Sequence, residues 1–60
     1  METQVKPGQV WQDKNLGRNW TVLLREEDGK WSLHSEDGRR SNVIPEWMLL
    51  DDYVLVKEAP

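Results

Sequence analysis

The stretch EEDGKWSLHSEDGRR, residues 26–40, holds Asp-Gly twice, at Asp28-Gly29 and Asp37-Gly38, on either side of one short alternating segment. Asp-Gly between apolar-polar alternations is a strong short-range hairpin signal, because both residues tolerate the positive φ that a type I′ turn requires. In KWSLHS, Trp31 and Leu33 share one face and Lys30, Ser32 and His34 the other. Upstream, NWTVLLR (19–25) alternates Trp20, Val22 and Leu24 against Thr21, Leu23 and Arg25. Downstream, RRSNVI (39–44) runs to Pro45, which has no N–H to donate to a ladder and closes the strand. The reading is a three-stranded antiparallel meander with two tight turns.

Two further strands flank the meander. GQVWQ (8–12) follows the Pro7-Gly8 turn signal and brings together Val10 and Trp11, both favoured in strands. DYVLVK (52–57) alternates Tyr53 and Leu55 against Val54 and Val56. Between strands four and five, Pro45 opens PEWML (45–49), too short for an independent helix and expected to form one 3₁₀ turn. The whole reads as an all-β chain in which five strands close into a small barrel without free edges.

Sixty residues allow one domain, expected over 1–60 with an ordered core of about 5–57 and short flexible termini. There is no cysteine, so disulfides and thiolate metal sites are excluded, and the single His34 cannot hold a metal by itself. Packing must therefore hold the fold. Four tryptophans serve that need, each able to bury roughly 150–250 Å². METQVKPG lacks the charged-then-apolar pattern of a signal peptide, and no apolar run approaches the roughly 20 residues of a membrane span. The chain is read as cytoplasmic and without a membrane partner.

The order of elements resembles the SH3-like barrel, and VIPEWMLL is similar to that fold's step from strand through Pro to a 3₁₀ turn. The opening VKPGQVWQD, with GRNWTV and GRRSNVI after it, resembles small proteins of tailed bacteriophages and their bacterial hosts. That resemblance implies a five-stranded SH3-like barrel with no assigned activity. KPGQVWQ is also similar to the Gly-centred strand of ribosomal KOW motifs, which implies nucleic-acid contact. PGQVWQD resembles the opening of PemK-type endoribonuclease toxins, a likeness that would make Arg18 a phosphate-stabilising residue; the chain lacks the later elements of that site.

Chemistry is sparse. Five serines and threonines and one histidine show no nucleophile-base spacing, the acidic runs EEDG and SEDG fall on turns, and no phosphate loop or cofactor motif occurs. The reading is a non-catalytic protein without cofactor or metal. The meander gathers Glu26, Glu27, Asp28 and Glu46 at one pole, with Asp51 and Asp52 placed beside them. The other pole gathers Arg18, Arg39 and Arg40 with Lys14, Glu36 and Asp37. Trp20 and Trp31 are expected in the core. Trp11 lies out of phase with Val10, so one of the two faces outward. Trp11, Trp47 and Tyr53 then form either an exposed aromatic patch or a plug over the open ends of the barrel.

The expected function is protein-protein interaction, with Trp11, Trp47 and Tyr53 as apolar anchors and Arg18, Arg39 and Arg40 as a charged rim. Nucleic-acid binding through the same arginines, with Trp11 stacking on a base, is the alternative; the net charge of −3 weighs against it. Leu23, Leu49 and Leu50 are read as exposed, so the chain is expected as a monomer or a weak homodimer.

Overall fold

A computed structural model describes residues 4–59. Each alternating segment of the sequence becomes a strand: β1 Val10–Asp13, β2 Asn19–Arg25, β3 Lys30–Ser35, β4 Ser41–Pro45 and β5 Tyr53–Lys57. They form one antiparallel sheet in the order β4-β3-β2-β1-β5. Its extents of 26 × 25 × 24 Å are nearly equal, so the sheet curls round its core instead of lying flat. Trp31 and Leu33 of β3 meet Trp20 and Val22 of β2 on the inner face, where all four are buried. Ile44 joins them from β4, Trp11 from β1 and Tyr53 from β5.

Both Asp-Gly hairpins form, by a different turn from the one expected. Among the described residues no non-glycine residue has positive φ, which rules out type I′; only Gly29 (φ 84°) and Gly38 (φ 73°) take the left-handed conformation. At the first tip, Glu26 N–H donates to Lys30 C=O (2.7 Å) and Gly29 N–H to Glu26 C=O (3.1 Å). This is a three-residue loop whose left-handed last residue must be glycine. At the second tip, Gly38 N–H donates to Ser35 C=O (2.9 Å) and Ser35 N–H to Arg40 C=O (2.8 Å). Arg39 and Arg40 therefore belong to the loop and not to the fourth strand.

The β2–β3 register slips between Val22 and Leu24, so two steps on β2 face one on β3. The bulge turns Leu24 out of phase with Trp20 and Val22 and leaves it exposed, in a row with Ser32 and Val43. Period-two alternation had placed Leu24 inside.

The segment after Pro45 is a two-turn α-helix, α1 Glu46–Asp52, where a single 3₁₀ turn was expected. Tertiary packing supplies what so short a helix lacks on its own: Leu49 is fully buried and Met48 packs against the core. Extended Pro45 precedes the first turn, and Tyr53 N–H caps the last by donating to Leu49 C=O. Leu49 is thus unavailable to a dimer surface. The helix also corrects the charge map. At about 1.5 Å per residue it carries the chain roughly 10 Å, from Glu46 beside the first tip to the far end of β1, where Lys14 N–H donates to Asp52 C=O (3.0 Å) and Lys14 Nζ to Asp51 C=O (2.7 Å). Asp51 and Asp52 lie at the arginine-bearing pole, not the acidic one. The hydrogen-bonded sheet does not close: β4 and β5 are its two edges, and α1 packs against both.

Candidate functional site

Of the three rings expected as anchors, Trp11 and Tyr53 prove to be core residues, 3% and 8% exposed, while Trp47 is 65% exposed. Val10 takes the outer position on β1, half-buried, and Trp11 the inner one. What holds Trp11 inward is Gln9, a buried polar residue that sequence reading passed over. Its Oε1 accepts from Trp11 Nε1 (3.0 Å) and from Lys6 N–H (2.9 Å), and its Nε2 donates to Gln4 C=O (3.0 Å) and Glu58 Oε1 (2.8 Å). One amide thereby satisfies an indole and ties together the two ends of the chain. A partner 49 positions away leaves no local signal in the sequence.

Tyr53 is closed in by packing. Burial, and next the charge of Asp13, push its phenol above the ordinary value of 10.0, against the pull of a hydrogen bond with Asn42. The three-ring patch therefore does not exist; two rings plug the interior and one stands out. On the same helix as Trp47, Leu50, one turn on, is 45% exposed. Beyond the helix, the Lys14 bonds to Asp51 and Asp52 hold the β1–β2 loop against its C-terminal end. That loop exposes Leu16 and ends at Arg18. Asp13 shapes it: its Oδ1 accepts from Asn15 N–H (2.7 Å) and Leu16 N–H (3.2 Å), and its C=O from Gly17 N–H (2.8 Å).

Arg18 and Arg40, expected as part of a rim, line one open concavity of about 490 Å³ together with Asn19, Ser35, Glu36 and Asp37. Sheet register makes the site, since Trp20 pairs with Ser35 and His34 with Ser41, which brings the loop before β2 and the loop before β4 to the same end. Arg39 does not line it; its backbone N–H donates to Asp37 Oδ1 (3.0 Å). Ser35 organises the loop, donating from Oγ to Asp37 Oδ1 (2.5 Å) and accepting there from Arg40 N–H (3.1 Å). The Ser35 hydroxyl first, and Arg39 N–H second, hold the Asp37 carboxyl below its ordinary value of 3.8. The pattern Ser-x-Asp-Gly was a usable signal for this turn, because serine and aspartate side chains bond backbone groups two or so residues on.

Among the described residues the one ion pair is Lys30–Asp28 (3.4 Å), at the opposite end of the sheet; Arg18, Arg39 and Arg40 form none. Asn19 Oδ1 and Trp20 Nε1 are buried without hydrogen-bond partners, each a cost of about 1–3 kcal/mol. His34 is half-buried on the outer face between Thr21 and Ser41, and its imidazole makes no hydrogen bond to either side chain among the described residues. Glu26, Glu27 and Asp28 line a separate shallow concavity with Lys30 and Val43. Among the described residues no helix is long and apolar enough to cross a membrane.

No family model, no curated protein and no solved structure matches this chain.

Proposed function

We propose that this chain is a small non-catalytic protein-interaction module on an SH3-like barrel, working in the cytoplasm and recognising its partner through Trp47, in the first turn of α1, and the arginine loops at the other end of that helix. The strand order and a helix lying across the gap between β4 and β5 support the barrel reading. The observation that carries the functional reading is Trp47, an indole left 65% exposed on a helix whose neighbours Met48 and Leu49 turn inward. Tryptophan and arginine are the residues most enriched among interface hot spots, and here the loop ending at Arg18 is tied to the C-terminal end of the Trp47 helix. A bacteriophage setting, suggested by the KPGQVW opening, would make the partner a host or virion protein.

The test is a pull-down from bacterial lysate with the tagged chain, divided into nuclease-treated and untreated halves and repeated with Trp47→Ala. A stoichiometric protein that survives nuclease and is lost with Trp47→Ala is the expected result. Truncating a hot-spot indole costs about 2 kcal/mol or more, roughly 30-fold in affinity. Thermal stability should move by no more than about 0.5 kcal/mol, as at other surface positions. Capture that is unchanged by Trp47→Ala contradicts the reading.

Nucleic-acid binding is the second reading, favoured by one observation: Arg18 and Arg40 share a concavity and neither has an ion-pair partner among the described residues. It predicts loss of every partner on nuclease treatment and an affinity that falls steeply with salt.

A further inference from the structure

The two Asp-Gly dipeptides carry a chemistry that their turns do not use. The backbone nitrogen that follows an aspartate can attack that aspartate's own Cγ and close a five-membered succinimide, and glycine, with no Cβ, presents the least hindered nitrogen for it. The local sequence is nearly the same at both places, Glu27-Asp28-Gly29-Lys30 and Glu36-Asp37-Gly38-Arg39. The nucleophiles are held alike as well: Gly29 N–H donates to Glu26 C=O (3.1 Å), Gly38 N–H to Ser35 C=O (2.9 Å), and both glycines are left-handed. Crowding does not separate them, since a Cβ at Gly38 meets nothing within 4 Å and one at Gly29 only Arg25 Nη2 at 3.8 Å.

The carboxyl groups differ. Asp37 Oδ1 accepts twice, from Ser35 Oγ (2.5 Å) and from Arg39 N–H (3.0 Å). Ser35 is fixed in turn: it is buried, it pairs with Trp20 across the sheet, and its Oγ accepts from Arg40 N–H (3.1 Å). Turning the Asp37 carboxyl towards the Gly38 nitrogen breaks both bonds and leaves the Ser35 hydroxyl without its acceptor. Asp28 is held by Lys30 alone, through N–H on Oδ1 and Nζ on Oδ2, each at 3.4 Å. Both contacts are longer than a well-formed hydrogen bond, and the ion pair is exposed to solvent, where it holds little. The position that Ser35 takes at the second tip is filled at the first by Glu26, whose ionised carboxylate has no proton to donate.

We propose that Asp28 is a site of spontaneous isoaspartate formation, and that the Ser35 hydroxyl protects Asp37 from the same reaction. Gly29 N bonds to Cγ of the protonated Asp28 carboxyl, which gives up its hydroxyl; that hydroxyl and the proton of the nitrogen leave as water. Water then adds back across the ring. Cleavage of the Cγ–N bond restores aspartate, while cleavage between the nitrogen and the Asp28 backbone carbonyl carbon leaves the chain running through Cβ and Cγ, with the former backbone carbonyl now a free carboxylate. Nothing is oxidised or reduced, and water is the only co-reactant. The product puts one more carbon into the backbone of a three-residue loop that closes Glu26 N–H onto Lys30 C=O, so the modified tip loses its turn while the arginine loops keep theirs. The inference is independent of what the chain binds.

The test ages the intact chain in neutral buffer at physiological temperature and measures isoaspartate at each position by electron-transfer fragmentation of its peptides, which separates the two linkages. Isoaspartate should accumulate at Asp28 at least about fivefold faster than at Asp37, the factor that one hydrogen bond is worth in a rate. Ser35→Ala should raise the rate at Asp37 towards that at Asp28 and leave Asp28 unchanged. Ser35→Thr, which keeps the hydroxyl, should keep Asp37 slow. In denaturing urea the two rates should converge, because the unfolded chain has lost the Ser35 bond and the local sequences are so alike. Equal rates in the folded chain, a faster Asp37, an Asp37 rate indifferent to Ser35→Ala, or a difference that persists in urea would each overturn the proposal. Acceleration of both sites together by Ser35→Ala would also overturn it, by tracing the protection to the fold at large and not to the hydroxyl.

Discussion

The two hairpin tips share the dipeptide Asp-Gly and a left-handed glycine, yet they leave opposite ends of the molecule in different electrostatic states. At the first tip, Asp28 is spent locally: Lys30 N–H reaches its Oδ1 (3.4 Å) and Lys30 Nζ its Oδ2 (3.4 Å), so Lys30 is paired, while Arg25, whose Nη2 lies against Gly29, forms no ion pair among the described residues. Solvent loss there pushes the Asp28 carboxyl up, but the Lys30 bonds and charge outweigh it and the net shift is downward. At the second tip the aspartate is satisfied by a hydroxyl and a backbone N–H instead. The turn is made without an ion pair among the described residues, although the charge of Arg40 adds to the pull on Asp37. Arg40 is left free to line the concavity with Arg18. The lesson is that a turn motif fixes chain direction, while the residues that satisfy its side chain decide whether the nearby charges remain available to a partner.

The comparison is sharpened first through the glycines, which carry the largest expected effects. Gly29→Ala and Gly38→Ala each force a Cβ into left-handed backbone at a cost of about 1–2 kcal/mol. Space is not the difficulty, since a Cβ at Gly38 meets nothing within 4 Å and at Gly29 only Arg25 Nη2 at 3.8 Å. Both variants should melt lower by about 4–8 °C per kcal/mol. Calorimetry showing no loss at either position would remove the left-handed turn from the account.

A smaller effect separates the tips. Ser35→Ala takes a donor from Asp37 and an acceptor from Arg40 N–H, and should cost about 1 kcal/mol. Asp28→Asn removes only a solvent-exposed ion pair and should cost less than Ser35→Ala. Equal losses measured by urea unfolding would mean that the two tips are held alike.

The smallest effect is in acid. Asp37 has a carboxyl depressed below 3.8 in the folded chain, so its contribution is present above that value and is lost as pH falls through the lower folded value. Asp37→Asn should flatten the stability profile below about pH 4. Tyr53 behaves in the opposite sense. Its phenol is raised above 10.0, so its contribution is complete below that pH and fades as pH climbs through the folded value, a loss that Tyr53→Phe should abolish.

Much of this architecture was legible in the sequence. The Asp-Gly pairs and the period-two segments around Trp20, Trp31 and Tyr53 gave five strands in their observed order, and with them the meeting of Arg18 and Arg40 at one end. Period two failed where the backbone departs from it, at the bulge that turns Leu24 outward. Local length arguments failed at α1, because burial of Leu49 stabilises a helix that seven residues would not sustain in water. The longer element then moved Asp51 and Asp52 to the arginine pole. For Trp11 the sequence left patch and plug both open, because its inward orientation is fixed by Gln9, and Gln9 by Glu58, a contact that exists only once the sheet has assembled.

Recognition is assigned to Trp47 and the arginine loops, and not to the carboxylates of the acidic tip. The most direct measurement compares nuclease-resistant protein capture by the wild-type chain, Arg18→Gln/Arg40→Gln and Glu26→Gln/Glu27→Gln, with folding of all three checked by tryptophan fluorescence. The account predicts that the arginine variant loses its partner and the glutamate variant keeps it. Loss of capture by the glutamate variant with retention by the arginine variant would contradict it.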